Sequence, residues 1–382
     1  MMDNEWKAPK SYKVNSEAEM SDLANDEKID SVIDPLDYII DDLFELNYPD
    51  CQDDESVKKQ FRDQVVEQGY AYGRWFHYPW NNSLVRFPES DDLYELRTFR
   101  NRDLITKNEQ DTLRNKKIAI FGLSVGSNVI DNTARSGIGN SYLLFDFDRL
   151  SSTNLNRIYA SMGHVGLLKT TVTGRKIAEL DPYISQQHFI NGYDGNTDGI
   201  LRVEKPDVII DEVDNLKVKA RLRNIASELG VPIVMAGDSD DVLVLDIERY
   251  DQRKTRPFNG KLSQKEVDSL INDEMSTDVY ESTLIKLLGL KNLSTRLVKS
   301  GMLRGVELTG FPQLGTTSAI GGAMASVAIR DILLGRKIDS GTRVQNIRKS
   351  IESGRPTTII EDINIIKSFV KYRRDQRRSS RK

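Results

Sequence analysis

The chain has 382 residues, of which 38% are hydrophobic and 29% charged, a composition typical of a soluble protein with a sizeable core. The net charge of −4 is too small to indicate a polyanionic partner from the overall balance. No stretch offers the roughly 18 consecutive apolar residues of a membrane helix, and the N-terminus lacks the apolar core of a secretory signal. We therefore expect a cytoplasmic protein with no membrane contact.

The chemistry of cysteine and histidine is limited by their number. Cys51 is the one cysteine, so no intramolecular disulfide and no CxxC zinc site can form. The three histidines lie far apart in the sequence, and we expect no zinc. Acidic residues surround Cys51 and should raise the pKa of its thiol, which argues against a nucleophilic role.

Residues 1–95 read as an accessory N-terminal region. The start is polar and acidic, and apolar residues at i, i+3, i+4, i+7 and i+8 predict a helix over Pro35–Leu46. The stretch 69–87 is rich in aromatic residues, in a pattern typical of strands or packed loops. Packing of these rings is favoured over an exposed platform for stacking nucleic-acid bases.

Residues 96–340 are predicted to form the main domain. A charged helix over Arg97–Lys117 comes first. Short β-branched runs then alternate with helical segments, which predicts βαβ units, and hence an α/β, doubly wound, mostly parallel sheet. The predicted strands are Lys117–Phe121, Tyr142–Phe145, His188–Ile190, Asp207–Ile210, Pro232–Ala236 and Val242–Ile247, with an antiparallel last strand left open; the helices between them are Val125–Arg135, Leu167–Leu180 and Leu216–Leu229.

The pattern after Tyr250 is helical. Helices are predicted over Leu262–Ile271, Val279–Leu288, Ser294–Leu303 and, rich in small residues, Ala319–Leu334. Residues 341–382 read as a C-terminal extension whose last twelve residues, KYRRDQRRSSRK, carry seven basic side chains. A solvated tail is the simpler interpretation, and contact with nucleic acid or an acidic protein is the alternative.

A glycine-containing loop follows the first strand of the main domain. Gly122, Ser124 and Gly126 lie between this strand and a helix, where backbone N–H groups and the helix dipole favour a phosphate. Asp146 stands twenty residues beyond Gly126 at the end of the next strand, as a ribose-binding carboxylate does. This pattern does not distinguish ATP from NAD or FAD, and an ordinary tight turn remains an alternative.

Charged residues further along favour ATP. Arg157 and Lys169 are candidates to bind phosphates, and Asp214 follows the strand Asp207–Ile210. Because ligands of open α/β sheets bind at the carboxyl edge of the strands, these side chains should lie close together. Cations and a Mg²⁺-binding carboxylate suit attack of a carboxylate on the α-phosphate of ATP.

The stretch 117–236 resembles the ThiF/MoeB and ubiquitin-activating-enzyme superfamily. The motifs GLSVGS, LLFDFD, NLNR, a lysine and DEVDN occur in the family's order and at compatible spacings. The resemblance implies a Rossmann-like ThiF fold and assigns Asp146 to the ribose, Asn154, Arg157 and Lys169 to the phosphates, and Asp214 to Mg²⁺. Asp148, the second acid of the D-x-D motif, is expected to be a cofactor-binding residue as well.

The resemblance implies a Mg-ATP-dependent adenylyltransferase that activates a carboxylate of a peptide, small protein or metabolite without a cysteine of its own. It also implies a homodimer in which Arg102, with Arg100 as the alternative, reaches the ATP of the neighbouring subunit from the segment Arg100–Thr106. Ser124 stands where many relatives have a further glycine. A bacterial subfamily fused to a nitroreductase-like domain is similar over 70–335, so a separately encoded nitroreductase-like partner is a further expectation.

Two alternatives remain open. The carboxylate could belong to a modified adenosine of tRNA, for which the basic tail is the local support. The chain could instead be a catalytically silent ThiF-like scaffold that binds nucleotide or a partner. A redox role with NAD or FAD is weakest, because nothing near the loop resembles a hydride-transfer site.

Overall fold

A computed structural model describes residues 6–252, 255–272, 277–289, 292–303, 307–308 and 310–353. These residues form two compact units. One comprises the chain up to Lys116 together with Thr133–Tyr142 and Thr170–His188; the other comprises Lys117–Asn132, Leu143–Lys169 and the chain from Phe189 onward. The basic tail lies outside the described residues.

The first unit contains a four-stranded sheet in the order β1-β3-β4-β2, with β2 parallel and the other pairs antiparallel. Its strands are β1 (Lys10–Tyr12), β2 (Ser31–Ile33), β3 (Arg74–Tyr78) and β4 (Ser83–Phe87), and its helices are α1 (Glu17–Asp26), α2 (Leu36–Asn47), α3 (Glu55–Val66), α4 (Ser90–Thr98) and α5 (Lys107–Arg114). The helix predicted over Pro35–Leu46 is confirmed as α2.

The aromatic residues of β3 are packed, as the sequence predicted. Trp75, Phe76 and Tyr78 are each less than 5% exposed. The hydroxyl of Tyr78 donates to the carbonyl of Ala178 at 2.9 Å, and the ring of Phe76 meets that of Tyr183 edge-on. Buried in this way, these three rings cannot stack on bases.

The predicted helix Arg97–Lys117 is wrong as one element. The chain forms α4, a turn over Phe99–Asn101, and then α5. Leu104, expected inside the helix, lies between them and is 84% exposed. The side chain of Thr106 accepts from the backbone of Glu109, whose carboxylate accepts from Thr106 N, and this capping box starts a new helix.

The main sheet has seven strands in the order β11-β10-β9-β8-β5-β6-β7 and is mostly parallel, as predicted. The strand β10 is antiparallel to both its neighbours, which settles the orientation that the sequence left open. The strands are β5 (Lys117–Phe121), β6 (Ser141–Phe145), β7 (Ser185–Phe189), β8 (Val208–Asp211), β9 (Ile233–Ser239), β10 (Val242–Glu248) and β11 (Gly341–Asn346).

Helices connect these strands and complete the α/β fold. They are α6 (Val125–Arg135), α7 (Lys169–Leu180), α8 (Thr197–Glu204), α9 (Leu216–Leu229), α10 (Gln264–Asn272), α11 (Thr277–Leu288), α12 (Thr295–Leu303), α13 (Gly315–Leu333) and α14 (Ile347–Ile351). The core beneath the sheet includes Phe121 and Phe145, whose rings stack at 4.1 Å between centroids. The order of strands changes direction at β5, with β8 on one side and β6 on the other, and such a switch point is where ligands bind.

Candidate nucleotide site

The loop after β5 is held close to the end of β8. Gly122 has φ +89°, and a Cβ atom there would lie 2.4 Å from the carbonyl oxygen of Glu212. Only glycine tolerates both the positive φ and this approach. The helix α6 begins three residues later, so backbone N–H groups and the positive end of the helix dipole face the carboxyl edge of the sheet.

The carboxylate of Asp146 fixes this loop from β6. Its Oδ2 accepts from the backbone N of Leu123 at 2.6 Å, and its Oδ1 accepts from the backbone N of Asp148 at 2.7 Å. Burial raises the pKa of Asp146, while the charge of Lys169 and the two hydrogen bonds oppose the rise. Asp146 thus connects the ends of β5 and β6, in addition to its predicted contact with a ribose.

Lys169 and Asp148 form an ion pair at the start of α7. Lys169 Nζ lies 2.7 Å from Asp148 Oδ2, and the backbone N of Lys169 donates to the carbonyl of Asp148 at 2.9 Å. The lysine side chain is 9% exposed and that of the aspartate 51%. The structure therefore places both predicted residues together, with the cation inside and the anion facing solvent.

Arg157 reaches the glycine-containing loop from the segment between β6 and α7. Its Nε donates to the hydroxyl of Ser124 at 2.8 Å, and its Nη1 donates to Asn156 Oδ1 at 3.0 Å. Asn154 supports this segment, because its Oδ1 accepts from the backbone N of Ser151 at 3.0 Å. Burial lowers the pKa of Arg157, and the charges of Asp238 and Asp214 oppose that change.

Asp214 is exposed in the loop that joins β8 to α9. The next residue, Asn215, caps α9 by accepting from the backbone N atoms of Lys217 and Val218. The carbonyl of Asp214 accepts from the hydroxyl of Tyr280 at 3.3 Å. The charge of the Asp214 carboxylate acts on both Arg157 and Asp238.

Asp238, which the sequence analysis missed, belongs to the same group. It is the penultimate residue of β9; its Oδ1 accepts from Gln313 Nε2 at 3.4 Å, and its buried Oδ2 has no hydrogen-bond partner among the described residues. Burial raises the pKa of Asp238, opposed by the Gln313 hydrogen bond and the charge of Arg157. The rule applied to Asp146, an acid at the carboxyl end of a buried strand, would also have found Asp238 in PIVMAGD.

A family comparison decides how this arrangement is classified. The family model described as ThiF family matches residues 98–358, more than half of the chain. The chain belongs to the ThiF family. This agrees with the order of the motifs in the sequence and with the loop, cations and acids that the fold brings to one edge.

Curated relatives of this ThiF-family chain include proteins with different names. The Mycobacterium tuberculosis protein MT1398 is 34% identical over 274 residues, which cover 70% of this chain and 37% of that protein. The tRNA threonylcarbamoyladenosine dehydratase of Haemophilus influenzae is 33% identical over 133 residues, 34% of this chain and 51% of that one. Ubiquitin-like modifier-activating enzyme 5 of Aedes aegypti is 26% identical over 149 residues, 35% of this chain and 37% of that one. The chain thus spans about a third to a half of their lengths.

Solved structures similar to this chain have low sequence identity to it. PaaA has a TM-score of 0.48 at 16% identity and covers 79% of this chain and 95% of its own. TcdA (CsdL) has a TM-score of 0.46 at 19% identity, with 64% and 96% covered. E. coli MccB has a TM-score of 0.44 at 18% identity, with 63% and 64% covered. These similarities carry no information about the substrate.

A buried ionic network lies behind the loop that carries Asp214. Asp211, the last residue of β8, accepts from Lys219 Nζ at 3.0 Å and from Arg223. Arg223 also donates to Glu248 Oε1 at 2.9 Å, and all four side chains are less than 10% exposed. Burial would raise the pKa of Asp211, but the two cations bring it below its usual value. This network, which the sequence did not predict, fixes the end of β8.

Arg102 lies in the first unit, directly after the turn Phe99–Asn101. Its guanidinium is 5.1 Å from the centre of the Phe99 ring. The other predicted ThiF-family site residues belong to the second unit. The part assigned to Arg102 in a neighbouring subunit stays a prediction.

The surroundings of Cys51 agree with the sequence argument. Partial burial raises the pKa of its thiol, and so do the charges of Asp50 and Asp54. In the described ranges, no group of three or more His, Cys, Asp or Glu side chains is arranged to hold a metal ion. No helix in the described part of the chain combines the length and the apolar character needed to span a bilayer.

A cavity of about 510 Å³ lies away from the predicted ThiF-family site residues. It is lined by apolar side chains of β10 and α13, among them Leu245, Ile247 and Val327, and also by Lys337 and Arg343. None of the predicted ThiF-family site residues contributes to it. The candidate nucleotide site is therefore defined by its charged groups and backbone N–H groups rather than by an enclosed apolar pocket.

Proposed function

We propose that this chain is an ATP-dependent adenylyltransferase that activates a carboxylate. The observation that carries the proposal is the placement, at the carboxyl edge of one sheet, of a phosphate loop together with Arg157, Lys169 and Asp214. Membership of the ThiF family supports adenylation at a general level. The acceptor is, in this proposal, the carboxylate of a peptide or small protein.

The residues of the site have separate tasks in this reaction. The N–H groups of the loop Gly122–Gly126 and the start of α6 bind phosphate oxygens. Arg157 and Lys169 stabilise the negative charge that is redistributed over the phosphates in the transition state. Asp146 faces the ribose while it holds the loop. As an acceptor carboxylate oxygen bonds to the α-phosphorus, the bond to pyrophosphate breaks and an acyl adenylate forms.

The acids of the site fit a magnesium ion brought by ATP. Mg²⁺ is usually held by one or two carboxylates together with substrate phosphates and water. Asp214 is exposed, and Asp238 has a buried oxygen that accepts no hydrogen bond from the part of the chain that the structure describes. These two side chains would hold the ion, which would supply charge neutralisation to the leaving pyrophosphate.

A nucleophile from outside the chain completes the proposal. The raised pKa of Cys51 disfavours the thiolate that a thioester intermediate needs. The acyl adenylate is therefore passed to an external nucleophile. A homodimer with Arg102 acting in trans, a separately encoded nitroreductase-like partner and a cytoplasmic location belong to the same proposal.

One relative favours a second candidate, the activation of a carboxylate on tRNA. The Haemophilus influenzae protein similar over 133 residues is named tRNA threonylcarbamoyladenosine dehydratase. Under this candidate the seven basic residues of 371–382 would contact the nucleic acid. A gel shift with tRNA that disappears when 371–382 are deleted would favour it over a peptide acceptor.

The first test is thermal unfolding with Mg-ATP, NAD or FAD. Ligand at 100 times Kd stabilises a protein by about 2.7 kcal/mol, a shift of several degrees at this size. We expect a shift with Mg-ATP alone, lost in Asp214→Ala and kept in Asp42→Ala, an exposed aspartate of α2. No shift with ATP in the parent would refute the proposal, and a shift without pyrophosphate exchange in the presence of candidate acceptors would favour a silent scaffold.

A further inference from the structure

Ser124 makes a contact that a glycine could not make. It lies in the loop between β5 and α6, and its Oγ accepts from Arg157 Nε at 2.8 Å. The two residues are 33 positions apart in the sequence and belong to different connections of the sheet. The hydrogen bond therefore ties the phosphate loop to a cation from the segment between β6 and α7.

Other contacts hold the same arginine from its own segment. Its Nη1 donates to Asn156 Oδ1 at 3.0 Å and to the carbonyl of Thr153 at 3.4 Å. Its carbonyl accepts from Asn128 Nδ2 at 3.0 Å, which fixes the backbone against α6. The backbone is thus held independently of Ser124, whereas the direction of the guanidinium depends on the serine hydroxyl and the Nη1 contacts.

The third nitrogen of the guanidinium, Nη2, takes no part in these contacts. Within the described residues, Nη2 of Arg157 makes no hydrogen bond to another protein group. The charges that act on the guanidinium are those of Asp238 and Asp214, the proposed magnesium ligands. With Nε and Nη1 engaged, Nη2 is the group left to contact a phosphate oxygen.

We propose that the Ser124 hydroxyl is a positioning group that orients Arg157 toward the phosphates. The inference rests on the proposed ATP-dependent function. Holding an arginine in one geometry costs rotamer entropy, and the hydrogen bond to Ser124 meets part of this cost before the ligand arrives. A glycine at this position would let the backbone come closer to a phosphate, whereas the serine holds the Arg157 side chain in place.

The test is a double-mutant cycle on Mg-ATP affinity, measured by calorimetry. Ser124→Ala removes the hydroxyl and should weaken binding about tenfold, because the ligand must then order the Arg157 side chain as it binds. Ser124→Thr keeps a hydroxyl and should restore binding to within about threefold of the parent. In an Arg157→Met background, Ser124→Ala should change the affinity less than about twofold, because the serine then has no arginine to orient.

The free energy of unfolding of each variant without ligand separates positioning from a structural effect. We expect Ser124→Ala and the parent to unfold at the same urea concentration, since both partners are only partly buried. Equal loss of affinity in both backgrounds would mean that the hydroxyl contacts ATP itself, and would overturn the inference. Unchanged affinity in Ser124→Ala would overturn it too, with the proposed function intact. A parent that binds no ATP would instead refute the proposed function.

Discussion

Replacing Gly122 with alanine adds one methyl group where the loop after β5 meets the end of β8. The new Cβ would lie 2.4 Å from the carbonyl oxygen and 2.6 Å from the carbonyl carbon of Glu212. Both are backbone atoms, so no side-chain rotation relieves the contact and the loop must move. The positive φ of +89° adds about 1–2 kcal/mol of strain, and the forced shift adds roughly 1–3 kcal/mol. We expect Gly122→Ala to lose about 2–5 kcal/mol of unfolding free energy.

Gly166 provides the matched control. It has φ +93°, and a Cβ atom there would meet nothing within 4 Å. Gly166→Ala should therefore show the backbone strain alone, about 1–2 kcal/mol. Urea unfolding of the parent and both variants measures the difference, which isolates the contact with Glu212. Equal losses in the two variants, or a Gly122→Ala protein as stable as the parent, would refute the reasoning.

Three further predictions concern buried or charged groups. Arg223→Met leaves Asp211 and Glu248 buried without their shared partner, and should cost about 3–5 kcal/mol in urea unfolding, whereas exposed Arg202→Met should cost less than about 1 kcal/mol. Asp238→Asn should raise the Mg²⁺ concentration needed for ATP binding several-fold, as judged by calorimetry at a series of Mg²⁺ concentrations; an unchanged requirement would exclude Asp238 as a ligand. Burial lowers the pKa of His188 to about 3 from about 6.5 when unfolded, so the unfolded chain binds more protons between these values. The stability that neutral His188 contributes is thus present above pH 6.5 and is lost as the pH falls toward 3, and His188→Phe should flatten this part of the stability profile.

The fold could be predicted wherever burial is complete on both faces of the sheet. The strand KIAIF was predicted with the bounds that β5 has, because four of its residues are buried side chains that had to be apolar. The helices α6 and α9 were predicted with equal accuracy, since their apolar residues repeat at helical spacing. These elements alone define the βαβ units and place the loop at Gly122.

Elements that depend on partners elsewhere in the chain could not be predicted. The strand β11 has the sequence GTRVQN, which carries little apolar signal, and it forms because the edge of β10 pairs with it over six residues. The break inside the predicted helix 97–117, by contrast, could have been predicted, because the sequence contains a signal for a new helix start. Thr106 and Glu109 have the spacing of a capping box, which marks a new helix start.

In the candidate site, too, some features could be predicted from the sequence, whereas those that depend on distant partners could not. The order of the motifs predicted which charged residues lie near the carboxyl edge of the main sheet. The sequence pattern does not reveal which of these charges form ion pairs. Arg223 looks like a surface residue of an amphipathic helix, yet it is fully buried because Asp211 and Glu248, which are 37 positions apart, meet at its guanidinium. Ser124 stands where many relatives have a glycine, and the sequence alone does not reveal that its hydroxyl contacts Arg157.

The charge pairing of the site suits it to a polyphosphate ligand. Lys169 is paired with Asp148, and the charges of Asp238 and Asp214 act on Arg157, so both cations have negative charge nearby. A phosphate that binds Lys169 displaces a carboxylate that is 51% exposed, and such a group returns to water at little cost. Lys169 itself, only 9% exposed, would keep its place and lose less entropy on binding than a solvated lysine would. Under the proposed function, ATP therefore replaces the exposed Asp148 carboxylate, and the buried Lys169 ammonium is already in position to bind a phosphate.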